Sequence, residues 1–113
     1  MAETIKKAWG FEDVLVNEAE YCAKRLWIHP GKQCSLHYHK IKKETFLVEK
    51  GVVELELPDW QGQLREGEMA IVYPGEAHRF ASLEGAVILE VSTHHDDSDV
   101  IRLEPSGEIH SKV

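Results

Sequence analysis

The feature that most constrains this chain is a steady rhythm of short apolar runs cut by turn-forming pairs. Cys22 to His29, Ser35 to His39, Thr45 to Glu49, Val52 to Leu57, Glu68 to Tyr73, Ala77 to Ala81 and Ala86 to Ser92 mix β-branched or aromatic residues with polar ones. Between them fall Pro30-Gly31, Lys50-Gly51, Pro58-Asp59, Glu66-Gly67, Pro74-Gly75 and Glu84-Gly85. Runs of that length, evenly spaced and separated by glycine and proline, read as strands of a sandwich or barrel rather than a parallel sheet with helices. Val52 to Leu57 alternates cleanly, with Val53, Leu55 and Leu57 on one face and Glu54 and Glu56 on the other, as a strand with one wet side does. No segment carries an amphipathic helical pattern. The expectation is an all-β domain spanning 1–113, with a barrel core at about 20–92 and irregular segments at both ends.

Composition narrows the partners. The 113 residues suit one domain. Acidic residues number 20 against 13 basic ones, a formal charge of −7. A field of that sign repels phosphate backbones and anionic lipid, so a nucleic-acid or membrane-surface role is not expected. No apolar run approaches the roughly 18 residues a spanning helix needs. The first residues lack the apolar stretch of an export signal, which points to the cytoplasm. Cys22 and Cys34 are too few for a disulfide framework and read as buried, reduced thiols.

Histidine placement carries the chemistry. His37 and His39 sit at i and i+2, so on a strand both imidazoles leave the same face. Glu44 follows after a gap long enough for a tight turn, and His78 follows the glycine-bearing turn Pro74-Gly75-Glu76-Ala77. Imidazoles and a carboxylate meeting at one point suit a borderline-to-hard cation. Phe46 and Val48 share parity with Glu44 and are expected inside. Lys24 and Arg25, adjacent on one strand, must face opposite sides. Arg79, next to His78, is expected to point outward into a salt bridge. The run Lys40-Ile41-Lys42-Lys43 reads as a solvated loop that could also attract phosphate.

Gly31, His37, His39, Glu44 and Gly51 match the first motif of the cupin superfamily, and Gly67, Gly75 and His78 match the second. Tyr73 stands at the second motif's usual proline, with Pro74 one place later, and Ser82 stands at its final asparagine. The resemblance implies a small jelly-roll β-barrel, with His37, His39, Glu44 and His78 holding one divalent transition metal (Mn, Fe, Ni, Co or Zn). Four protein ligands leave one or two positions open for substrate. Ala8-Trp9-Gly10-Phe11-Glu12, Tyr21 to Leu26, His78-Arg79-Phe80, Leu89 to Ser92 and Asp97 to Leu103 further resemble the cupin domain of type II phosphomannose isomerases. That domain commonly has Gln at the position of His37, and Glu-His-Trp where this chain has Glu44-Thr45-Phe46.

This second resemblance implies aldose–ketose interconversion of a sugar or sugar phosphate, and a homodimer is expected because small cupins usually pair and an open sheet edge is a liability unless covered. The proton-transfer base is then expected among His94, His95 and Glu90, because such a base needs a pKa near neutrality. His94-His95-Asp96-Asp97 has an alternative reading as a solvated loop. Two other functions fit the same ligands, a non-haem metal oxygenase and a non-catalytic cupin that binds a sugar or another small molecule.

Overall fold

The structure, a computed structural model, describes residues 3–109. Its strands, in chain order, are β1 (Glu3–Lys7), β2 (Gly10–Asn17), β3 (Cys22–Ile28), β4 (Lys32–Gln33), β5 (Leu36–His39), β6 (Glu44–Gly51) and β7 (Val53–Leu57). They continue with β8 (Trp60–Leu64), β9 (Met69–Val72), β10 (Arg79–Ser82), β11 (Ala86–Ser92), β12 (Val100–Glu104) and β13 (Gly107–Glu108). A single 3-10 turn, Asp97–Asp99, is the only helical element among the described residues. One sheet runs β1-β2-β3-β11-β6-β9, a second runs β13-β4-β10-β7-β8, and β12 pairs with β5 in a ribbon. All pairings are antiparallel. The chain is therefore all-β, with each strand expected from the apolar runs present within a residue or two of its bounds.

The ends differ from expectation. Residues 3–17 form two strands rather than an irregular lead-in, and Val100–Glu104 pairs with the strand that carries His37 and His39. The signal in β2 was masked because its inward positions are Gly10, Glu12 and Val14, with Glu12 buried where a core strand would carry an apolar side chain. The part of the expected C-terminal surface run at 110–113 lies outside the described residues.

Inward positions grade from polar to apolar along the strands, and that gradient places the site. On β3 the buried positions are Cys22, Lys24, Leu26 and Ile28; on β11 they include Ser92, Glu90, Ile88 and Ala86. The register sets Glu90 opposite Lys24 on one side and Phe46 on the other, and Ser92 opposite Glu44. One end of the barrel is thus filled by Leu26, Ile28, Val48, Val53, Leu55 and Ile88, while charged side chains line the other. Trp9 and Phe46 each meet the Phe80 ring edge-on, at 5.1 and 5.9 Å, and separate the two halves.

The motif glycines serve turns. Gly51 has φ +80°, a conformation that costs other residues about 1–2 kcal/mol, and an added Cβ there would lie 2.5 Å from the Gly85 carbonyl oxygen. Both cysteines are free and buried, and burial pushes the Cys34 thiol up to about 12. As parity requires, Lys24 is buried while Arg25 pairs outside with Glu49 at 2.7 Å. Arg79 reaches Glu104 at 3.0 Å.

Candidate metal and substrate site

The histidines are brought together by backbone pairing. His37 and His78 exchange both main-chain hydrogen bonds, His78 N–H to His37 O at 2.8 Å and His37 N–H to His78 O at 3.1 Å. The turn before His78 is tied to the same strand, because Gly75, at φ +85°, donates its N–H to His39 O at 2.7 Å. Ring centroids consequently lie 4.4 Å apart for His37 and His78, 5.1 Å for His37 and His39, and 5.6 Å for His39 and His78. One nitrogen from each ring lies within 4.8 Å of the others. Glu44 completes the group, with Oε2 3.2 Å from His39 Nε2 and 3.1 Å from His78 Nε2.

The donor set fits a cation on three counts. His37 Nδ1 donates to Ser35 O at 2.8 Å and His78 Nδ1 donates to Glu76 O at 2.9 Å. A carbonyl can only accept, so each Nδ1 carries a proton and, in the neutral ring, each Nε2 has its lone pair facing the interior. Glu44 Oε2 and His78 Nε2 are buried without a hydrogen-bond partner, as is His39 Nδ1. Buried polar atoms left unspent need an explanation, and for the first two a shared cation supplies one. Burial, then the neighbouring His78, lowers His37 to about 3, so its ring is neutral, as a metal ligand must be; burial would lower His78 too, but Glu44 outweighs it and raises its pKa. Burial would raise Glu44, but His39, His78 and Lys42 outweigh it and hold the carboxyl well below the usual carboxylate range.

Beside this group lies a cavity of about 120 Å³. His37, His39, Glu44, Lys42, Glu90 and His95 line it, with Lys24 and Glu12 further along and Trp9, Leu26, Phe46 and Phe80 as its apolar wall. The pair His94-His95 is split by the fold. The His95 ring faces the cavity, 6.4 Å from His39 between centroids, with Nδ1 3.1 Å from Lys42 Nζ and Nε2 2.8 Å from Asp97 Oδ1. His94 points the other way, its Nδ1 3.0 Å from Glu18 O, and does not line the cavity. Glu90 is buried and accepts from Lys42 Nζ at 2.8 Å.

Lys42 corrects the expectation of a solvated lysine run. Its side chain is 2% exposed, bridging Glu90 at 2.8 Å and Glu44 at 3.6 Å. The turn is inverted around Asp99, whose carboxylate accepts from the backbone N–H groups of Lys40, Ile41 and Lys42 at 3.0–3.1 Å. Burial would lower the Lys42 pKa, but Glu90 and Glu44 outweigh it, so the ammonium is held charged. The signal was present: Lys42 shares the i, i+2 parity of Glu44, Phe46 and Val48. Lys24, bonded to Glu12 at 3.2 Å, is the inward member of its pair.

Comparison with known proteins accords with this geometry. A solved RmlC-like cupin from Shewanella frigidimarina superposes with a TM-score of 0.79 at 16% identity, over 87% of this chain and 88% of that one. The fold is therefore that of a cupin. The chain is 28% identical over 105 residues to a mannose-1-phosphate guanylyltransferase of Sinorhizobium fredii, a match covering 88% of this chain and 20% of that protein. It is 33% identical over a 120-residue alignment to a D-lyxose/D-mannose isomerase of Thermosediminibacter oceani, covering 81% of this chain and 66% of that protein. The chain thus spans less than two thirds of either relative. The family model for the mannose-6-phosphate isomerase C-terminal domain matches residues 1–105, and the chain belongs to that family.

Proposed function

We propose that this cupin is a metal-dependent isomerase that interconverts an aldose and a ketose, on a free sugar or a sugar phosphate. The observation that carries the reading is the convergence of His37, His39 and His78, with Glu44 Oε2 beside His39 and His78 and buried atoms left unspent, next to a cavity lined by His37, His39, Glu44, Lys42, Glu90 and His95. A bound divalent cation (Mn, Fe, Ni, Co or Zn) would supply positive charge to the carbonyl and neighbouring hydroxyl oxygens of an open-chain sugar. The chain's own residues move the proton. His95 is the base: burial, then the charges of Lys42 and Lys24, lower its pKa, so it stands neutral and able to accept. Asp97 accepts from Nε2–H and leaves the lone pair on Nδ1, which faces Lys42. Nδ1 takes the proton from the hydroxyl-bearing carbon next to the carbonyl and returns it to the carbonyl carbon, while the hydroxyl proton passes to the former carbonyl oxygen, so aldose and ketose contain the same atoms. Lys42 has Glu90 as a second acceptor for its ammonium when substrate occupies His95. Trp9, Phe46 and Phe80 exclude water from the apolar side.

The family membership and the sugar-isomerase relative support this reading. It further takes the protein to act in the cytoplasm, as a homodimer, on small molecules rather than nucleic acid; no helix among the described residues is long and apolar enough to cross a membrane. The test is incubation of metal-loaded protein with D-mannose, D-lyxose and mannose 6-phosphate in D2O. The expected result is the corresponding ketose with solvent deuterium on the carbon that receives the proton. Saturable binding of these sugars without turnover would overturn the isomerase reading in favour of a binding module.

A further inference from the structure

Nothing in the proton-transfer scheme explains why the His95 ring stays over the cavity. Residues 93–96 join β11 to the 3-10 turn and belong to no strand, so His95 lacks the ladder partners that fix a backbone. Its main-chain groups are met instead by one side chain. Asn17, the last residue of β2, donates from Nδ2 to His95 O at 3.1 Å and accepts at Oδ1 from His95 N–H at 3.0 Å. A primary amide offers a donor and an acceptor side by side, and here the two arms take both hydrogen-bonding groups of a single residue. The neighbouring position is held by the same turn, since His94 Nδ1 donates to Glu18 O at 3.0 Å. We infer that Asn17 is a positioning residue for His95: its side-chain amide clips the His95 backbone, with His94 as a second anchor, so that the imidazole is held between Lys42 and Asp97 facing the metal group.

The physical argument is one of entropy and aim. Both His95 ring nitrogens already have partners, at 3.1 Å to Lys42 and 2.8 Å to Asp97. Asp97 is itself almost fully exposed, at 98%, so that contact alone is a weak tether. Fixing the backbone of His95 fixes its Cα–Cβ direction, and a misplacement of about 1 Å at a reacting group can cost on the order of 100-fold in rate. His94, expected from sequence to be a catalytic candidate, becomes in this account a structural anchor on the far side of the same segment.

The inference rests on the reading of His95 as the proton-moving group, and its test has an arm that needs no turnover. Asn17→Ala and Asn17→Asp are compared with the unaltered protein, each loaded with the same divalent metal. For Asn17→Ala we expect kcat on the responding sugar to fall by about 10-fold or more with KM within about twofold, since aim is lost and binding is not. Asn17→Asp, which keeps the acceptor for His95 N–H and loses the donor to His95 O, falls between. Metal content is unchanged in both. By NMR, the His95 amide exchanges with solvent about 10-fold faster in Asn17→Ala and the ring resonances shift or broaden. Unchanged amide exchange and ring resonances overturn the inference whether or not any sugar turns over. Absence of turnover in the unaltered protein, alongside altered His95 signals in Asn17→Ala, overturns the isomerase reading and leaves the clip standing. If Asn17→Ala does not fold, Asn17→Asp carries both arms.

Discussion

Replacing His95 by alanine or glutamine is expected to lower kcat by about 100- to 10,000-fold, the contribution a positioned general base makes, while the protein keeps its metal. The expectation follows from where the ring sits. His95 lines the cavity but lies 6.4 Å from the His39 ring between centroids, beside the His37–His39–His78 cluster rather than in it. Its loss removes the proton acceptor and leaves His37, His39, Glu44 and His78 in place. His94→Ala, by contrast, removes an anchor on Glu18 and not a group in the cavity. Steady-state kinetics and metal analysis on the same preparations check the point. Loss of metal in His95→Ala would mean that the ring supports the ligands, and full activity would remove it as the base.

Lys42→Met is the largest stability change expected. The ammonium lies between Glu90 at 2.8 Å and Glu44 at 3.6 Å and is almost wholly buried. Removing one member of a buried ionic group leaves an uncompensated charge, at a cost of about 3–5 kcal/mol. Here two carboxylates would be left facing each other. Glu90 already titrates above the usual carboxylate range through burial, so its protonation is the easiest relief. Lower pH should therefore recover stability in the variant: the native state takes up the proton at a higher pH than the unfolded chain does, and the penalty shrinks as pH falls toward the Glu90 pKa. Lys42→Met combined with Glu90→Gln should restore most of the loss at neutral pH, with denaturant midpoints as the readout. A loss below about 1 kcal/mol in the single variant would contradict the charge network described for this cavity.

How far the sequence spoke depends on whether a position faces fat or water. The central strands were legible because Val53 and Leu55 alternate with Glu54 and Glu56, and because Phe46, Val48 and Ile88 lie in short β-branched and aromatic runs cut by glycine turns over a dry core. That His37, His39, Glu44 and His78 come together was legible from the i, i+2 histidines on a strand, the histidine after a glycine turn and the resemblance to the cupin motifs. β2 was hidden because the cavity turns its inward position into Glu12. Lys42 carried a signal in its parity with Glu44, Phe46 and Val48, but a charged side chain in a lysine run reads as solvated, and the clamp that buries it comes from Asp99, remote in sequence. Asn17 carried no local signal at all: its two bonds reach His95, 78 residues further along the chain, and only the folded register of β2, β3 and β11 brings the end of β2 beside that loop. The histidine pair at 94–95 could be placed near the site by resemblance, but which ring turns inward depends on backbone contacts made with Asn17 and Glu18.

The proposed function requires His37, His39, Glu44 and His78 to share one cation. Elemental analysis of protein equilibrated with Mn, Fe, Ni, Co or Zn and then freed of excess, set beside the combined variant His37→Ala, His39→Ala, His78→Ala, tests it most directly. About one divalent ion per chain in the unaltered protein and almost none in the folded variant is the predicted result. Near-stoichiometric metal in the variant, or none in either protein, would contradict it.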